Sequence, residues 1–372
     1  MTPEHHTPLD TPEAFRQRAR YVVALVVVAV VGLFVLWTTR QVLLLVFLGA
    51  AIGVLFFHTS RWLAEHTGVP RGATLAAVVL TVLGVLGAAA VFGGPRLADE
   101  ATALAERAPE LLELARNRLG LPESALTLPE ALGTVGGQLL GWFSTAAGVV
   151  SGVLVVLIVA VYTAAAPSQY TAAVTRLFDH EHQAFVRDVL AEMGSTLLAW
   201  LRGVGIAVAL LGTMAAVGLS LIGVPGALAL AAFAAALTVI PTFGPFIGWA
   251  PAVVVGFAEG TTMGLWTLGL AITAQQIEGS VITPKVQGSM VRVGPAFIVA
   301  GQIVLGSLAG FLGILLVVPV LGVGLILIQR LYIGPFVKGE PADPENPPRV
   351  SSPDGEVVRA DHPAGSALTG RR

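Results

Sequence analysis

Between residues 225 and 333 the chain carries two long apolar stretches, each interrupted near its middle by Pro and Gly. Hydrocarbon holds no water to satisfy the backbone groups that such breaks release. Interrupted apolar segments are therefore stable at membrane depth only where protein buries them or where they line a solvated cavity. The first stretch reads PGALALAAFAAALTVI (Pro225 to Ile240), then the break PTFGP (Pro241 to Pro245), then FIGWAPAVVVGFA (Phe246 to Ala258). The second runs from Pro295 to Tyr332, with Ala309, Gly310 and Gly313 near its centre and Pro319 beyond. Between them, a moderately apolar helix over Thr262 to Glu278 leads into the polar insert QQIEGSVITPKVQGS (Gln275 to Ser289). Broken apolar arms around a polar insert form the pattern of a solute pathway.

The arms of the first stretch fall short of the ~20 residues that a full crossing requires. Two readings follow. Either the arms tilt while the bilayer thins locally, or they form a re-entrant hairpin with PTFGP at its tip, the reading favoured here. The second stretch is too long for one straight span and fits a hairpin or a bent helix pair. Both follow one plan, a Pro, an apolar arm, a Gly/Pro break and a second arm, which hints at an internal repeat.

Composition places the whole chain in lipid. Hydrophobic residues make up 55% and charged residues 12%, and the mean hydropathy is +0.81, outside the range of soluble domains. The expected fold class is an all-α integral membrane protein, a polytopic helical bundle with two Pro/Gly-broken hairpins, and the lipid bilayer is its first partner. No basic patch interleaved with aromatics points to nucleic acid. The chain has no Cys, which removes disulfides, thiolate catalysis and Cys-ligated metals. HExxH, GxSxG and GxxxxGK[ST] patterns are absent, so the sequence supports neither an intramembrane enzyme nor a nucleotide-driven pump, and it assigns no cofactor or metal.

The organisation follows from hydropathy and charge. Residues 1–20 form a polar cytoplasmic tail. Residues 21–94 hold three expected spans, the first two (Tyr21 to Trp37, Val42 to Phe57) joined by a tight hairpin at Thr38, Thr39, Arg40 and Gln41, with His58 to Arg71 as the returning loop. Residues 95–144 read as an extracytoplasmic amphipathic arm. There Leu97, Ala101, Leu104, Ala108, Leu111, Ala115 and Leu119 recur at helical spacing, and Pro109 starts a second helix. Such an arm reads first as a surface helix packed on the bundle. Residues 145–166 form another span, 167–202 cytoplasmic amphipathic helices, 203–335 the transport core, and 336–372 a Pro-rich disordered cytoplasmic tail. Arg and Lys place both termini and the segment Lys285 to Arg292 on the cytoplasmic side. His180 and His182 lie two apart, on different helical faces, and read as solvated surface residues.

Glu278 is the most consequential side chain, because a carboxylate at or inside the membrane boundary is costly without a partner or a task. It either couples transport to a proton or cation, or pairs with Lys285 to fix a helix end. Gln275, Gln276 and Gln302 offer amide donors and acceptors to a hydroxyl-rich solute, or bond between helices. Pro241, Gly244, Pro245, Pro284, Gly306, Gly310 and Gly313 shape the tips and breaks, where freed carbonyls and helix ends can meet a polar substrate.

The ordered motifs IPTFGPFIGWAPAVVVGF, QQIEGSVITPKVQGSMV and GFLGILLVVPV after Gly306 resemble the carboxy-terminal core of the autoinducer-2 exporter family of bacterial permeases. GVPRGATLA (Gly68 to Ala76), PRLADEATALAERAPELL and AAPSQYTAAVTRLF extend the resemblance over roughly residues 20–335. It implies an eight-span or similar topology in the bacterial inner membrane, a homo-oligomer, and export of a small solute such as autoinducer-2. Sodium or lithium exchange for H+ is the alternative. Gly279 stands where that family commonly has an Asn, and Gly306-Ser307 where it commonly has a Gly pair.

Overall fold

Runs of Leu, Val, Ala and Ile without an internal Pro or Gly pair propagate as helix, since every backbone bond is then closed within the segment. The computed structural model describes residues 12–120, 146–282 and 294–337, and every regular element among them is helical. Among the described residues, three helical segments, Arg20–Thr67, Arg71–Leu119 and His180–Ile222, are long and apolar enough to cross a membrane. The protein is an all-α, polytopic membrane protein.

Helix α1 spans Pro12–Thr67 without interruption, so the tight hairpin expected at Thr38 to Gln41 does not form. None of those four residues breaks a helix, and the Thr39 hydroxyl bonds back to the Val35 carbonyl at 2.7 Å within the continuing turn. At ~1.5 Å per residue α1 is about 84 Å long. Its amino-terminal half, Tyr21 to Trp37, is exposed throughout. The expected His58 to Arg71 loop also shrinks. An Arg61–Glu65 pair supports the last turns, Gly68 ends the helix with φ +69, and α2 (Arg71–Ala88) starts directly after Pro70.

The second half of α1 carries the packing contacts of that helix, with Ala51 and Phe56 buried. Gly49 and Gly53, four residues apart, face α4 (Ala146–Ala165), and a Cβ on Gly53 would lie 2.8 Å from the Ala160 carbonyl oxygen. Small residues let the two backbones approach, the usual device of helix pairs in lipid. Helix α2 packs across the same pair through Phe56, Ala160 and Leu75. A π-helical turn, Ala89–Gly93, joins α2 to α3 (Gly94–Leu119), which keeps Pro109 inside one continuous helix instead of starting another. Helix α4 turns by 85° into α5 (Pro167–Thr175), because the residue before a proline disfavours helical ψ. His180 and His182 occupy an exposed 3-10 turn.

Helix α6 (Gln183–Ile222) is 40 residues long. The first broken stretch follows as α7 (Ala227–Leu237) and α8 (Gly244–Glu259), then α9 (Thr261–Ile277). The second broken stretch is α10 (Pro295–Ala309), α11 (Phe311–Leu315) and α12 (Val317–Ile328). The main core joins α3, α6, α7, α8 and α9, with Leu219, Trp249, Ala252 and Ala274 buried. The Glu192–Arg330 pair at 2.9 Å ties the start of α6 to the residues after α12.

Candidate functional site

The tip of the first hairpin is set by its Pro and Gly residues. Pro241 has no N–H and a locked φ, so the backbone cannot continue α7 in regular form. The Phe243 N–H donates to the Pro241 carbonyl at 2.7 Å, closing a three-residue turn around Thr242, whose φ is +67. A β-branched residue there is a conformational outlier, held only where its surroundings over-determine it. Gly244 supplies one constraint, since a Cβ on it would fall 1.9 Å from the Leu237 carbonyl oxygen. Pro245 then occupies the first turn of α8, where a missing N–H costs nothing.

A second constraint comes from the other hairpin. Gln302, buried on α10, donates its Nε2–H to the Pro241 carbonyl at 2.7 Å. That carbonyl therefore serves both the turn and the neighbouring hairpin. The Gln302 Oε1 is buried and has no hydrogen-bond partner among the described residues. Thr242 and Phe243 remain exposed above it.

The second tip is built alike. Helix α10 ends at Gly310, with φ +63 and ψ −141, a region open essentially only to Gly. Gly313 lies so close to α10 that a Cβ on it would be 1.9 Å from the Leu305 carbonyl oxygen, and Gly306 faces Ile314. Both tips thus place a glycine on a carbonyl of the preceding arm. Arg40, midway along α1, donates its Nε–H to the Leu308 carbonyl, and its guanidinium lies 4.8 Å from the Trp37 ring centroid. A cation there offsets the negative end of α10.

The amphipathic helix grips the base of the first hairpin. The Glu100 carboxylate accepts the Leu228 and Ala229 N–H groups at 3.1 and 3.0 Å, satisfying donors at the start of α7. Arg107 pairs with Glu259 at 3.5 Å, at the end of α8. Leu111 and Ala115 bury against the core between these ends.

The structure brings Pro241, Gly244, Pro245 and Gln302 to one tip, and Gly306, Gly310 and Gly313 to the other. Gln275 is half-buried and Gln276 exposed near the end of α9, and Glu278 is half-buried at the start of a π-helical segment, Glu278–Ile282. Among the described residues, no hydrogen bond joins Gln275 or Gln276 to the Gln302–Pro241 contact. Pro284 and Lys285 lie outside the described residues, as do the carboxy-terminal tail and part of the predicted arm. Sequence reading missed Arg40 as a partner of Leu308 and Glu100 as a helix cap. The signals were present, an Arg inside an apolar run and a Glu on an amphipathic helix.

Two interrupted hairpins are thus tied tip to arm inside an all-helical membrane bundle. The AI-2E family transporter model matches residues 25–333, and the chain belongs to that family. It is 34% identical over 135 residues to "Putative transport protein YueF" of Bacillus subtilis (strain 168), covering 36% of this chain and 37% of that protein. "Putative transport protein YrrI" of the same organism is 31% identical over 136 residues, 37% of each chain. "Putative transport protein MT0215" of Mycobacterium tuberculosis (strain CDC 1551 / Oshkosh) is 39% identical over 103 residues, 27% of this chain and 28% of that protein. The aligned part is thus well under half of each relative's length.

Proposed function

We propose that this transporter exports a small polar organic solute across the bacterial cytoplasmic membrane, with an autoinducer-2-like furanosyl signal as that solute. The observation that carries the reading is the Gln302–Pro241 bond, which joins the two broken hairpins beside a released backbone carbonyl. Interrupted helices of this kind present carbonyls and helix ends to a polar solute. Gln302 supplies an amide at the tip, Gln275 and Gln276 supply amides along the path, and Glu278 carries the coupling proton. Both termini are cytoplasmic, the hairpins re-enter the membrane, and the working unit is a homo-oligomer. Transport then proceeds as the hairpins move relative to the remaining helices.

Accumulation of labelled autoinducer-2 in inside-out vesicles, with and without an imposed proton gradient, tests the proposal. Gradient-dependent accumulation above that of empty vesicles is expected. Accumulation no greater than in empty vesicles overturns this substrate and directs the search to sodium(lithium)/proton exchange.

A further inference from the structure

Burial of an amide oxygen without a partner costs roughly 1–3 kcal/mol, so such an atom marks a place where something else is received. Gln302 is 7% exposed, and its Oε1 is without a partner among the described residues while its Nε2 is engaged by Pro241. The bonded carbonyl belongs to the turn that holds Thr242 at φ +67. The group that closes the tip is therefore also the group that retains an open acceptor.

We propose that the Gln302 carboxamide is a hydroxyl-reading latch between the two hairpins. A hydroxyl both donates and accepts. It donates to Oε1 and accepts from the Nε2–H on the same side as that oxygen, and the shift of the carboxamide that seats both bonds draws the other Nε2–H away from the Pro241 carbonyl. Loss of the Gln302 bond leaves the Pro241 carbonyl with only the local Phe243 N–H, so the strained turn is free to relax and the tip to part from α10. A monovalent cation would use only the oxygen and leave the Nε2–H on Pro241, so it would not release the latch. The site thus selects a neutral polyhydroxylated solute. This inference deepens the proposed function and rests on the reading that the hairpins enclose the solute path.

The chain has no Cys, so Phe243→Cys provides a single reporter at the exposed tip, labelled in nanodiscs by a water-soluble maleimide. The probes are ribose, its per-O-methyl derivative, which lacks hydroxyl donors, and autoinducer-2. The latch predicts that Gln302→Met raises the labelling rate about fivefold, the change expected on losing one hydrogen bond, and that ribose or autoinducer-2 raises it in the parent while the methylated sugar does not. In Gln302→Met neither solute adds to the rate. Hydrogen exchange of the Phe243 amide in the unsubstituted protein, faster with the hydroxylated probes, gives the same reading without any variant at Gln302. Unchanged labelling in a folded Gln302→Met protein, an equal response to the methylated sugar, or no response to either hydroxylated solute overturns the latch. A response to ribose but not to autoinducer-2 keeps the latch and overturns the proposed substrate.

Discussion

The Glu100 carboxylate on α3 accepts the Leu228 N–H at 3.1 Å, and so caps a helix more than a hundred residues further along the chain. A side-chain acceptor at a helix start contributes about 0.5–2 kcal/mol. Glu100→Ala is expected to lower stability by about 1 kcal/mol, read as an earlier thermal transition in detergent, and Glu100→Gln to recover part of it. An unchanged transition in Glu100→Ala would show that water caps α7 equally well.

The tip glycines differ from those on the bundle surface. A Cβ at Gly244 or Gly313 would lie 1.9 Å from a backbone oxygen, whereas one at Gly84 or Gly269 meets nothing within 4 Å. Gly244→Ala and Gly313→Ala are expected to cost about 1–3 kcal/mol, as overpacking does. Gly84→Ala and Gly269→Ala are expected to leave stability equal or slightly raised, because alanine favours helix. Thermal unfolding of the four variants, measured side by side, checks the contrast.

Arg40 joins the midpoint of α1 to the last turn of α10 through the Leu308 carbonyl. Arg40→Ala removes both this bond and the contact with Trp37, so hydrogen exchange near Gly310 should accelerate severalfold. Arg40→Lys should restore only part of the protection, since a lysine lacks the planar fork that serves two sites at once. Equal exchange in all three proteins would separate Arg40 from the second tip.

Glu278 carries the coupling prediction. Glu278→Gln keeps the size of the side chain and removes its proton exchange, so transport is expected to lose its pH dependence while the protein still purifies as the parent does. A variant with the parent's pH profile would leave Glu278 a structural residue.

Much of the fold was legible because lipid leaves the backbone few choices. The apolar runs, the break at PTFGP and the amphipathic spacing of Leu104, Leu111 and Ala115 all read directly as helices and their interruptions. Boundaries set by the absence of a signal were harder. Thr38 to Gln41 are polar enough to suggest a turn, yet helix continues through any short segment that lacks Gly or Pro, and α1 runs on. Pro109 read as a helix start, although within α3 it forfeits only one backbone bond. At the site, Gln302 and Pro241 were each recognisable as polar or helix-breaking, but their contact spans 61 positions and no local pattern encodes it. The positive φ of Thr242 was hidden for the same reason, since Thr gives no warning of a conformation that glycine would announce.

On the proposed function, the first hairpin moves against α6 during transport. A Cβ on Gly212 would sit 2.9 Å from that of Ala235, so a small parting of the two helices brings the pair to the ~3.8 Å spacing of disulfide-bonded pairs. In the Cys-free chain, Gly212→Cys with Ala235→Cys therefore gives a reversible lock. The measurement is labelled autoinducer-2 accumulation in inside-out vesicles of this double variant, before oxidation, after it, and after reduction. Accumulation is expected to stop on oxidation and to return on reduction. Undiminished accumulation with the disulfide fully formed would contradict it.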